Sequence, residues 1–224
     1  MNKKIIGIVI ALIAVVLAVI GGAYAFDLFA AHTDFDNQFM SGTFQGEVSV
    51  NKVEKSKYSN WTASYTEKDK NITYNMSCVK QGSFITNLYM LQGMAAPETR
   101  NFNGVDWKIF YSQAVPSTND TNNSSSNSSE TSDIIDVYIC EADINDTTYM
   151  INVMSYGNVT PCDGSLYCDL FKNDIEPLLN SVTLKDAKKA PQMYKLLNMT
   201  KDEFEQANDQ INQILAGNVT VEEQ

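Results

Sequence analysis

From Ile5 to Phe26 the chain carries no charged residue, and this run constrains the protein more than any other feature. As a helix, those residues span about 33 Å, enough to cross a hydrocarbon core of about 30 Å. Apolar side chains cover every face of such a helix, unlike the one-sided stripe of an amphipathic core helix. Lys3 and Lys4 precede the run, while Asp27, Asp34 and Asp36 follow it. The positive-inside rule therefore leaves residues 1–4 in the cytoplasm and translocates the rest. Ala23-Tyr24-Ala25 fits an A-x-A cleavage site, so a form released after Ala25 stays open. The apolar stretch exceeds a usual signal-peptide core of about 7–15 residues, which favours an uncleaved signal anchor over 5–26.

The remainder reads as extracytoplasmic. The formal charge is −11, and Lys3 and Lys4 lie on the cytoplasmic side, so residues 27–224 carry −13. Arg100 is the single arginine, and no basic cluster exists. Such a surface repels phosphate backbones and anionic lipid head groups alike, so nucleic acid is not an expected partner. Cys78, Cys140, Cys162 and Cys168 all follow the apolar run. An even count in an exported chain suggests disulfides, with three connectivities open. Cys162 and Cys168 are the natural local pair, which would leave Cys78 with Cys140. A zinc site is disfavoured: there is no C-x₂-C, and the one histidine, His32, lies beside the apolar run. Asn60, Asn71, Asn75, Asn119, Asn122, Asn123, Asn127, Asn145, Asn158, Asn198 and Asn218 each open an N-x-[ST] sequon.

The periodicity then divides the chain. Residues 27–42 read as a juxtamembrane connector, 43–184 as one α+β domain, and 185–224 as a C-terminal helical segment. Phe44, Val48 and Val50, then Trp61, Ala63 and Tyr65, then Ile72, Tyr74, Met76 and Cys78 alternate as half-buried strands do. Glu67–Asn71 is a hairpin connection. Ser83 can cap a helix carrying Phe84, Leu88 and Leu91. Asn103-Gly104 turns the chain into a strand bearing Val105, Trp107, Ile109 and Tyr111. Residues 116–133 are Ser- and Asn-rich with almost no apolar side chain, the composition of a disordered loop. Strands at Ile134–Ala142 and Thr147–Tyr156 follow, then an amphipathic helix with Leu170, Phe171, Ile175, Leu178 and Leu179. It closes on a strand-like Ser181–Leu184. Beyond Pro191, a capping box at Thr200–Glu203 opens a last helix with Phe204, Ala207, Ile211, Ile214 and Leu215 on one face. The expected architecture is an antiparallel sheet with helices packed on it, behind an N-terminal transmembrane helix.

Chemistry is hard to find in this pattern. Ser-His-Asp and Cys-His sites need an imidazole near the nucleophile, and the one imidazole, His32, falls in the juxtamembrane connector. Asp34–Gln38 hints at a calcium loop but fails where glycine and a bidentate glutamate belong, at Phe39 and Gln45. No metal, cofactor or catalytic residue is expected. Paired carboxylates for hydrolysis remain the enzymatic alternative. Glu141, in Ile139-Cys140-Glu141-Ala142, has the most apolar setting, although alternation turns it away from Cys140 towards solvent. Trp61, Tyr65, Trp107 and Tyr111 could line a ligand groove, but at strand spacing they are more often core.

The order of elements resembles the PsbP/Mog1-like α/β sandwich. The matching portions are the hairpin Trp61–Val79, the helix after Ser83, Gly104-Val105-Asp106-Trp107-Lys108-Ile109, the pair Ile134–Tyr156, and Phe171–Leu184. The cysteines, residues 116–133 and the C-terminal helices depart from it. The leader followed by such a domain is also similar to small signal-anchored surface proteins of methanogenic archaea. The resemblance implies a non-enzymatic, accessory or binding role. The expectation is therefore a membrane-anchored extracytoplasmic domain that contacts another envelope protein or a cell-surface polymer. A secreted carboxylate hydrolase and a structural spacer are the alternatives.

Overall fold

The computed structural model describes residues 32–53, 58–114, 135–156 and 166–217. The apolar run at 5–26, the Ser/Asn-rich stretch 116–133, Cys162 and six of the sequon asparagines lie outside the described residues. Among the described residues no helix is long and apolar enough to cross a membrane.

The protein is α+β. Seven antiparallel strands run in the order β3 (Ser49–Val50), β4 (Thr62–Glu67), β5 (Ile72–Lys80), β9 (Thr147–Tyr156), β8 (Ile135–Ile144), β7 (Val105–Ala114) and β6 (Glu98–Phe102). A smaller sheet joins β1 (Thr33–Asp36), β2 (Met40–Phe44) and β10 (Thr183–Leu184). Alternation explains the large sheet's principal core. Tyr74, Met76, Cys78, Ile151, Val153, Tyr138, Cys140, Trp107 and Ile109 share one face and are buried. That face is covered by Phe35, Phe39, Met40 and Phe44 of the small sheet and by Phe171, Ile175, Leu178 and Leu179.

The domain takes in more chain than the sequence pattern indicates. One compact unit starts at Thr33, so the described part of the connector expected over 27–42 holds the strands β1 and β2, whose aromatic side chains join the core. Asn37 shapes this hairpin: its Oδ1 accepts the Phe39 and Met40 N–H groups at 3.0 and 2.9 Å. Asp34 accepts the Thr43 hydroxyl at 2.7 Å. The acidic stretch Asp34–Gln38 thus makes a turn and a cross-strand bond, not a calcium loop. At the other end Ala187 and Ala190 join the main core.

The opposite face of the sheet is partly roofed by two helices, α1 (Ser83–Leu91) and, further on, α4 (Lys201–Leu215). Val79, Phe84, Met193, Phe204 and Ile211 form a second core there, and the Phe84 and Phe204 rings lie 4.7 Å apart. Gly82, not Ser83, is the N-cap of α1. A Cβ at Gly82 would sit 2.6 Å from Val79 and 2.8 Å from Thr148, so a larger residue would lift the helix off β9. The capping box is as the sequence predicts, with Thr200 accepting from the Glu203 N–H and Glu203 from the Thr200 N–H. The Pro191 carbonyl accepts the Lys80 N–H, and the short helix α3 (Met193–Leu196) begins after it, with extended Gln192 as its N-cap.

The helix carrying Leu178 is irregular. It begins as a π turn, Phe171–Ile175, in which the Glu176 N–H reaches back to the Phe171 carbonyl, and continues as α2 (Glu176–Ser181). Pro177 has no N–H for the Asn173 carbonyl, which removes one ordinary helical bond at the junction. The widened turn carries Asp174.

Candidate functional site

The polar groups of greatest chemical interest are two lysine-centred carboxylate clusters, one on each face of the sheet. The first joins the β4–β5 hairpin to the π turn. Glu67 follows Ala63 and Tyr65 on the inward parity of β4 and is only 4% exposed; Asp174 is 6% exposed. The Lys70 ammonium lies 3.1 Å from Glu67 Oε1 and 2.5 Å from Asp174 Oδ1, and also donates to the Gln45 carbonyl at 3.3 Å. The Tyr74 hydroxyl donates to Glu67 at 3.4 Å. Gly46 makes room for this carboxylate, because a Cβ there would fall 2.2 Å from Glu67 Oε1. Burial pushes both carboxyls above their ordinary range despite the ammonium between them, and the two carboxylates raise the Lys70 pKa over the opposing effect of burial.

The second cluster lies beneath α1. Glu141 does turn away from Cys140, as alternation requires, yet it is not towards solvent: it is 0% exposed, because α1 covers it. Its Oε2 lies 2.5 Å from the Thr86 hydroxyl and its Oε1 lies 3.1 Å from the Lys108 ammonium. Lys108 also holds Asp143 at 2.7 Å, and Asp143 accepts the Thr148 hydroxyl at 2.6 Å. Burial drives the Glu141 carboxyl up, whereas the Lys108 and Thr148 donors outweigh burial at Asp143 and hold it down. Thr86 Oγ1 also lies 3.0 Å from the Ser83 carbonyl, and one hydroxyl proton cannot serve both acceptors.

A raised carboxyl pKa has a definite sign in stability. Its contribution is full below the unfolded value and is lost as pH rises through the folded one. Glu141→Gln keeps a donor for Thr86 and an acceptor for Lys108. It should make stability depend less on pH, so chemical denaturation between pH 7 and 4.5 should show a flatter profile. An equal loss at every pH would mean that shape rather than charge governs this position.

The cysteines require a correction. Cys78 and Cys140 are free and buried. β9 lies between their strands, opposing Cys78 with Tyr149 and Cys140 with Ile151. Two strand spacings of about 4.8 Å exceed the roughly 7 Å limit for Cα atoms in a disulfide. Burial pushes both thiols up to about 12. Iodoacetamide at pH 8 should therefore label neither in the native protein and both after unfolding, read by mass spectrometry; a Cys78–Cys140 bridge would overturn the strand order. Cys168 is disulfide-bonded, while Cys162 lies outside the described residues.

Of the described sequon asparagines, Asn60, Asn71, Asn145 and Asn198 are exposed, whereas Asn75 is half-buried in the middle of β5. Asn119, Asn122, Asn123, Asn127, Asn158 and Asn218 lie outside the described residues. The candidate aromatic row belongs to the core. Trp61, Tyr65 and Trp107 are buried, and Tyr111 packs 4.7 Å from Tyr138 with its hydroxyl donating to Asp136. Among the described residues no group of His, Cys, Asp and Glu is arranged to hold a metal ion.

No family model matches the chain, and no curated protein matches it. A solved structure from Bacteroides thetaiotaomicron VPI-5482 is similar at a TM-score of 0.41 and 10% identity, over 70% of this chain and 49% of that one. The chain thus spans about half the length of that protein.

Proposed function

We propose that the protein is a membrane-anchored extracytoplasmic binding or accessory domain, of PsbP/Mog1-like character, held by residues 5–26 and directed at a cell-envelope partner. One observation carries the non-catalytic part of this reading. The carboxylates best suited to acid–base work, Glu67 and Asp174, are bridged by the Lys70 ammonium. That cation fills the space between them, where a substrate's reacting atom would have to lie. Both carboxylates hold the hairpin to the π turn, a structural task.

The anchoring part rests on the uncharged run and the acidic exterior. Its test is labelling of intact cells with a membrane-impermeant amine reagent. Lys68, Lys188 and Lys195 are exposed and should react without lysis, and the protein should remain with membranes after carbonate washing. Labelling that requires lysis would overturn the reading. Release by carbonate, with a mature N-terminus at Phe26, would replace the anchored form by a secreted one.

A further inference from the structure

The end of β5, the β8–β9 turn and the segment after β10 enclose a pocket of about 420 Å³. Its lining reverses the charge of the chain. Lys80, Lys185 and Lys188 face it against one carboxylate, Asp186, although the protein carries 27 acidic and 16 basic residues. Asp36 holds the Lys185 ammonium from outside the lining, so three cations meet two anions and the balance is +1.

Lys80 is the cation left over. Four lysines are half-buried among the described residues, Lys70, Lys80, Lys108 and Lys185. Lys70 holds Glu67 and Asp174, Lys108 holds Glu141 and Asp143, and Lys185 holds Asp36. Of the four, Lys80 alone has no carboxylate partner among the described residues. A sheltered ammonium is costly without a counter-charge, and here the pocket is where one can enter. Thr147 is its cross-strand partner, and the Cβ atoms of such pairs lie about 5 Å apart on one face. Thr147 is 6% exposed, lines the pocket, and bonds no group through its hydroxyl among the described residues. Two groups able to donate thus stand side by side in the wall.

That wall is fixed in advance. The Lys80 N–H donates to the Pro191 carbonyl at 2.8 Å, and the Tyr149 hydroxyl to the Lys185 carbonyl at 2.6 Å. The Lys185 ammonium donates to the Asn37 carbonyl at 2.7 Å. Ile144, Tyr149 and Leu184 add apolar surface to the lining.

We propose that this pocket binds a small organic monocarboxylate. Lys80 supplies the opposite charge, and Lys80 and Thr147 together donate to the two oxygens of one carboxylate. Ile144, Tyr149 and Leu184 receive its apolar body, in a volume typical of small-molecule sites. A dianion such as a phosphate monoester exceeds the +1 balance, and a neutral ligand leaves Lys80 unpaired. This site goes beyond the envelope role proposed above and does not depend on it, so failed surface labelling would leave it untouched.

Hexanoate, benzoate and phenylacetate, each beside its neutral amide, test this by nuclear magnetic resonance titration of the full chain in a maltoside detergent. At least one carboxylate should saturate and shift the Ile144 and Thr147 amide signals, and its neutral amide should bind at least tenfold more weakly. Lys80→Met should weaken that carboxylate at least tenfold and Thr147→Val about threefold. Lys80→Arg should retain binding, and Lys189→Met, outside the lining, should change nothing. The melting temperature of Lys80→Met should stay within a few degrees of wild type, because the bond to Pro191 is made by the backbone. Absence of saturable binding by all three carboxylates, equal binding of the amides, a preference for phenyl phosphate, or affinity indifferent to Lys80→Met would overturn the assignment. So would an N-glycan on native Asn145, which lines the same pocket.

Discussion

Lys70→Met should destabilise the fold by about 3 kcal/mol at pH 7 and much less near pH 4.5. The lower end of the range for breaking a buried ion pair applies, because the ammonium is 40% exposed and partly screened, while its two partners are not. Methionine fills the same volume, so the loss reports charge. Without the ammonium, Glu67 and Asp174 face each other inside the protein with only the Tyr74 hydroxyl to help. Their carboxyls, already above the ordinary 4.5 and 3.8, should move further up. Folding then takes up protons, and the variant regains stability as pH falls from neutrality towards those ordinary values. Urea titrations at pH 7 and pH 4.5 measure both effects. A loss of the same size at both pH values would assign Lys70 a packing role alone. The wild type shares the sign: Glu67, Asp174 and Glu141 all favour the fold more as pH falls through this window.

Phe204→Ala should cost about 3–5 kcal/mol, or roughly 10 °C in melting temperature for a domain of this size. Phe204 is fully buried, with its ring 4.7 Å from Phe84 and 6.5 Å from Tyr194. Removing it opens the second core at its centre and loosens α4 from α1. A change below about 1 kcal/mol would mean that the last helix is a dispensable appendage rather than a wall of the domain. Thermal unfolding followed by circular dichroism decides between these outcomes. The same loosening should accelerate amide exchange in α1 before β9, since the sheet keeps its other face.

Legibility in the sequence followed the range of the interactions. Strand alternation was readable from Ala63, Tyr65 and Met76, and the Thr200–Glu203 capping box needed only four adjacent residues. Glu67 could have been found by the same parity, because it continues the inward set Ala63 and Tyr65; reading Glu67–Asn71 as a simple hairpin connection hid it. Its partner Asp174 could not. It lies 104 positions from Lys70, and local pattern has no access to a contact of that separation. Glu141 was misread for the same reason. Parity gave its face correctly, but whether that face meets water or a helix depends on where α1 lands.

The uncharged run from Ile5 to Phe26, the acidity of residues 27–224 and the capped last helix are properties of the chain by itself. Each depends on composition or on neighbours within a turn or two. Which strand lies between Cys78 and Cys140, which lysine neutralises Asp174, and which part of the sheet's second face the helices cover were decided by tertiary structure. Those outcomes turn on pairings between distant segments, where burial of the whole core outweighs the preference of any single stretch.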